Sequence, residues 1–69
     1  SAAEEVFEIK RLVVARRQEI LDNPDLSAEQ KATVQQQIAQ ETERTVRGVL
    51  GEKAFKQFTR RSEAVWLRP

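Results

Sequence analysis

The 69-residue sequence has no cysteine, no histidine and no tyrosine, and only two glycines. Without cysteine there is no disulfide staple and no thiol nucleophile. Without histidine there is no serine–histidine triad and no imidazole acid–base group, and the commonest metal ligand is missing. Gly48 and Gly51 alone cannot build a glycine-rich phosphate loop. Carboxylate pairs do occur, Glu4 with Glu8 and Glu41 with Glu43. A carboxylate di-metal bundle sets its glutamates beside histidines, which this chain lacks. Glu4 and Glu8 also fall in the first turns of a helix, where the dipole already accounts for them. The expectation is a non-enzymatic chain with no catalytic, cofactor-binding or metal-ligating residues.

Long apolar runs are missing as well. Nothing approaches the ~20 residues of a membrane-spanning helix. Nor does an apolar run follow a basic start, as a signal peptide would require. The chain opens on Ser1, which fits a mature chain after leader removal or a fragment of a longer protein. A single core in a chain this short seldom supplies more than ~3–5 kcal/mol. With disulfides and histidine metal sites gone, the remaining staple is another polypeptide: a partner, a second copy, or the rest of a longer chain.

Charge is present in quantity but unevenly placed. Residues 1–43 carry five basic and nine acidic groups, net −4, and residues 44–69 carry seven and two, net +5. Two readings follow. The basic end lies over the acidic half, or it faces an acidic partner. Arg44, Arg47, Lys53, Lys56, Arg60 and Arg61 would suit nucleic-acid phosphates. The acidic half, and a turn that joins long helices rather than short ones, argue against that use.

The hydrophobic pattern is helical throughout, with no strand-like alternation. Residues 2–22 form a first helix capped by Ser1 and halted by Asn23-Pro24, since proline pushes the residue before it out of the helical region. Glu8 and Arg11 stand three apart as a favourable pair. Ser27-Ala28-Glu29-Gln30 is a capping box, in which Ser27 and Gln30 each satisfy the other's amide. A second helix follows over residues 28–50, weakened slightly by Gly48 and stopped by a left-handed Gly51. A third, shorter helix covers residues 52–64. Leu67, Arg68 and Pro69 then either fray or dock through Trp66. The connection 22–26 is too short for anything but an antiparallel pair. The predicted fold is all-α: one domain over residues 1–69, a helical hairpin about 30 Å tall with a small third helix folded against one end.

The faces of these helices hold the candidate sites. On the first helix, Val6, Ile9, Leu12, Val13 and Ile20 make one stripe, and Phe7, Val14 and Leu21, seven apart, make a second. Lys10 and Arg17 lie between them. Together the stripes are wider than a two-helix hairpin needs. Either the third helix covers Phe7, Val14 and Leu21, or they form a seam for a partner helix or a second copy. The second helix has Val34, Ile38, Val46, Val49 and Leu50, with Thr42 and Thr45 in the middle and small Ala28, Ala32 and Ala39 alongside. Gln35, Gln36, Gln37 and Gln40 read as its solvated side. Phe55, Phe58 and Trp66 are either bundle core or interface anchors.

The run from Ile20 to Lys31 resembles a turn of helical bacterial-envelope proteins. Leu26-Ser27-Ala28-Glu29-Gln30 is similar to the Leu-Thr-x-x-Gln motif of the Spy/CpxP periplasmic stress proteins. The helix–Asn-Pro-x-Leu-Ser–helix run is similar to segments of the lipase-specific chaperones. The resemblance covers about twelve residues. It departs from those families in serine for threonine, in a single copy of the motif, and in the missing Arg-x-x-Phe-Asp-Tyr of the lipase chaperones. Only Ser27 and Gln30, as capping residues, carry over. The resemblance implies a chaperone-like or accessory protein of the periplasm or cell envelope, with a cytoplasmic location as the alternative. The expected function is binding another protein through apolar helix faces. A self-associating structural domain is the second reading, and a basic nucleic-acid binder the third.

Overall fold

The computed structural model describes residues 1–67, Ser62 and Glu63 through their backbone only. It contains α1 (Ala2–Leu21), α2 (Ala28–Leu50), α3 (Glu52–Thr59) and a closing 3₁₀ segment (Ser62–Leu67). There is no strand among the described residues. The long helices α1 and α2 pack against each other as a hairpin, as the short connection requires.

Helix α1 begins where the cap predicts. The Ser1 hydroxyl accepts from the Glu4 amide at 3.3 Å, and Glu4 and Glu5 occupy the first turn. At its other end the Asn23 side-chain oxygen accepts from the Asp25 amide at 2.9 Å, which closes the turn before the chain can extend the helix. Lys31, from the first turns of α2, donates to the Leu21 carbonyl at 2.8 Å. That bond satisfies an orphan acceptor of α1 and ties the two helices across the turn.

Both halves of the capping box form. The Gln30 amide donates to the Ser27 hydroxyl at 3.1 Å, and the Ser27 amide donates to the Gln30 side-chain oxygen at 2.8 Å. Ser27→Ala is expected to lose about 1 kcal/mol, read as a melting temperature about 4–8 °C lower. Ser27→Asp should retain most of the cap. An alanine variant that melts with the parent would show that the box contributes nothing.

Helix α2 runs through Gly48 to Leu50 and stops at Gly51. Gly51 has φ 81° and ψ 162°. The φ is positive, as expected of a glycine stop, but ψ is extended rather than left-handed helical. So the chain does not wind off α2 through a left-handed cap. It reverses at this residue, and α3 starts at Glu52, with the Phe55 amide donating to the Gly51 carbonyl at 2.9 Å.

The third helix is shorter than predicted. It ends at Thr59, not near Ala64, and after Arg60 and Arg61 the chain tightens into the 3₁₀ segment. The Arg60 amide donates to Gln57 and the Arg61 amide to Phe58, so the three-residue hydrogen-bonding step has already begun there. A continuous helix would carry residues 64–67 away from the hairpin. The break turns them back, and Ala64 and Leu67 become buried. Arg68 and Pro69 lie outside the described residues.

The core sits at the end of the hairpin that holds the start of α1. It joins Val6 from α1, Val46 from α2, Phe55 from α3, and Ala64 and Leu67 from the 3₁₀ segment. Ile9, Val49, Leu50, Phe58 and Trp66 pack around it. Val46 has no exposed surface. The Phe58 and Trp66 rings meet edge to face, 6.3 Å between centroids, and the Arg47 guanidinium lies 4.8 Å over the Phe55 ring.

Candidate interaction surfaces

The surface of this molecule is decided by where α3 and the 3₁₀ segment lie. A hairpin has two grooves. On one side α3 and the 3₁₀ segment lie against α2, where Gln36, Ala39, Gln40 and Glu43 line an open cleft with Phe55, Thr59, Ala64 and Leu67. The segment is held there by a polar clasp that the sequence did not reveal. Arg17 donates from Nε to the Gln35 side-chain oxygen at 2.7 Å and from Nη1 to the Trp66 carbonyl at 2.8 Å. Gln35 returns a bond from its amide nitrogen to the Arg17 carbonyl at 3.0 Å. Gln35 is therefore buried, a correction to its reading as part of a solvated glutamine face. Its amide both accepts and donates, so burial leaves neither end without a partner.

With the 3₁₀ segment on that side, no described residue of α3 or the 3₁₀ segment covers Phe7, Val14 and Leu21. They are 66%, 48% and 53% exposed. Of the two readings of this stripe, coverage by the third helix is the one the fold does not take. Phe7 and Val14 line a shallow apolar depression with the side chains of Lys10 and Arg11. The Arg11 guanidinium pairs with Glu8, and this holds the Glu8 carboxyl below the usual carboxylate range, mainly through the hydrogen bond. Both groups face water, so the pair orders the rim of the depression more than it stabilises the fold.

The three aromatic candidates separate. Phe55, 4% exposed, belongs to the core. Phe58 and Trp66 are half-buried, each with one face on the core and one toward solvent. Val65, next to Trp66, is exposed. No protein-family model, curated protein or solved structure matches the chain. Physical arrangement alone therefore carries the functional reading.

The opposite groove of the hairpin is open. Leu12, Val13 and Arg16 of α1 face Val34, Ile38, Glu41 and Thr42 of α2 across it. Leu12 is 58% exposed, although it belongs to the stripe expected to pack inward.

Internal pairing among the described residues does little to resolve the charge segregation. Among the described residues, the ion pair that joins the basic segment to the acidic one is Arg47 with Glu43, inside α2 at 3.3 Å. Arg47 also reaches Glu52 at 3.3 Å. Lys53, Lys56 and Arg60 form a ridge on the outer side of α3 with no carboxylate partner among the described residues. The expected basic lid over an acidic half is not how the molecule is built: α3 spans eight residues and turns its aromatic side, not its charged side, to the hairpin. No helix among the described residues is long and apolar enough to cross a membrane.

Proposed function

We propose that this chain is a non-enzymatic protein-interaction module, a chaperone-like or accessory subunit that grips another protein along α1. The observation that carries the reading is the exposed row of Phe7, Val14 and Leu21. A seven-residue spacing keeps the three on one side of a helix, where they present a seam to an apolar helix of a partner. A row of large apolar side chains held in water is costly unless it is used. The residue types absent from the sequence leave binding rather than catalysis as the use. The likeness of the turn at Ile20–Lys31 to envelope chaperones supports a client-binding role in the periplasm or cell envelope.

The test replaces the row. The chain carrying Phe7→Ser, Val14→Ser and Leu21→Ser should stay folded, because exposed substitutions usually change stability by under ~0.5 kcal/mol each. It should lose the ability to suppress aggregation of an unfolding client protein. A photo-crosslinker at position 14 should give discrete adducts in cell extract, and one at Gln36 should not. Loss of helical circular dichroism in the triple variant would instead make these residues core. A folded triple variant with full client protection would refute the proposal.

A further inference from the structure

We infer that the open groove between α1 and α2 is the seat of a second copy of this chain, so that two hairpins close into a four-helix bundle. This surface is separate from the Phe7–Val14–Leu21 row. At ~100° per residue, Leu12 and Val14 point about 160° apart around α1.

Area is the first argument. The chain exposes 5192 Å² for its 8.0 kDa. A compact monomer of that mass exposes about 4,450 Å². The excess, roughly 740 Å², is close to the ~800 Å² that each partner buries in a stable interface. The shape agrees. The radius of gyration is 12.8 Å, against about 11 Å for a compact chain of this length. One copy is a rod of nearly square section, 39 × 20 × 18 Å, and two rods laid together along their open faces give the proportions of a bundle.

Charge is the second argument, and it selects a copy over a different partner. The groove holds one cation, Arg16, and one anion, Glu41. Its net charge is zero, so like faces meet without net repulsion. The outer row is rimmed by Lys10 and by the Arg11–Glu8 pair, so two copies meeting there would bring one uncompensated cation each. The groove makes one polar demand on its occupant, the Glu41 carboxylate, which has no partner among the described residues and which Arg16 of a second copy would answer. Arg16 is already bonded to Glu19 at 3.2 Å, and the Thr42 hydroxyl to the Ile38 carbonyl at 2.6 Å. Leu12, Val13, Val34 and Ile38 from two hairpins would supply matching layers, the arrangement in which antiparallel bundles bury their apolar positions.

Sedimentation equilibrium on the whole chain decides it. Between about 1 and 100 µM, the affinity range of a modest interface, the mean mass should rise from 8.0 kDa toward twice that value. Leu12→Glu should weaken association by at least about tenfold, the cost of burying an unpaired carboxylate, with helicity intact because Leu12 already faces water. Phe7→Glu should leave association unchanged. Should Leu12→Glu lose helicity, Leu12→Cys replaces it. Its thiol, unique in the chain, should label at least about tenfold more slowly at the high concentration than at the low one. The inference is overturned by a chain that stays at 8.0 kDa throughout, by association that survives Leu12→Glu or yields to Phe7→Glu, or by equal labelling at both concentrations.

Discussion

Phe55→Ala is expected to leave most of the chain unfolded at 25 °C. A buried phenylalanine truncated to alanine costs about 3–5 kcal/mol through lost burial and the cavity left behind. A single core in a chain this short seldom supplies more than about 3–5 kcal/mol in total. The Phe55 ring is where all four elements meet: Val6, Val46, Ala64 and Leu67 join it in one cluster, and Arg47 covers its face. Among the described residues, the buried apolar side chains outside this cluster are Ile20 and Ala39, too few to carry the fold if it opens. Helicity followed through a urea titration would show the native baseline shortened or missing. Phe7→Ala, removing the same ring from an exposed site, should shift the midpoint little. A Phe55→Ala variant with the parent's midpoint would mean that α3 is not docked on the hairpin. The burial of Phe55, the place of the 3₁₀ segment and the exposure of Phe7 would then all need revision.

The contrast between these two phenylalanines marks what the sequence could disclose. Helix boundaries were legible because their determinants are local. Ser1, Asn23-Pro24, the Ser27–Gln30 box and Gly51 each act within one turn of themselves. The boundaries found differ from the predicted ones by one residue at the end of α1 and by none in α2. The end of α3 was not legible. Residues 60–64 contain no proline or glycine to announce a break, and the break serves a tertiary end, the burial of Ala64 and Leu67. The fate of Phe7, Val14 and Leu21 was undecidable for the same reason. Their spacing says that they share a face, and only the path of the chain after Thr59 says whether that face is covered. Gln35 looked like its exposed neighbours Gln36 and Gln37 because residue type does not record a partner eighteen positions away in α1.

That partner sets the other large effect. Arg17→Met should cost about 2–4 kcal/mol, although methionine keeps much of the apolar stem. Hydrogen bonds from a charged donor contribute about 1.5–3 kcal/mol, and a buried acceptor left without one costs its full desolvation. Among the described residues, the fork serves the Gln35 side-chain oxygen and the Trp66 carbonyl. Arg17→Lys should rescue little, because a single ammonium cannot span acceptors on two elements as the planar fork does. Trp66 is the sole tryptophan, so its emission reports on the clasp directly. In Arg17→Met it should shift to the red as the 3₁₀ segment lifts, below the temperature at which α1 and α2 lose helicity. Adding Gln35→Leu to Arg17→Met should cost less than Gln35→Leu alone, since the second change removes a side chain whose acceptor oxygen is already orphaned, although its amide still donates to the residue-17 carbonyl. If Trp66 emission in Arg17→Met matched the parent, or if the two substitutions were additive, the clasp would not be what holds the segment in place. The openness of the Phe7–Val14–Leu21 row would then need another cause.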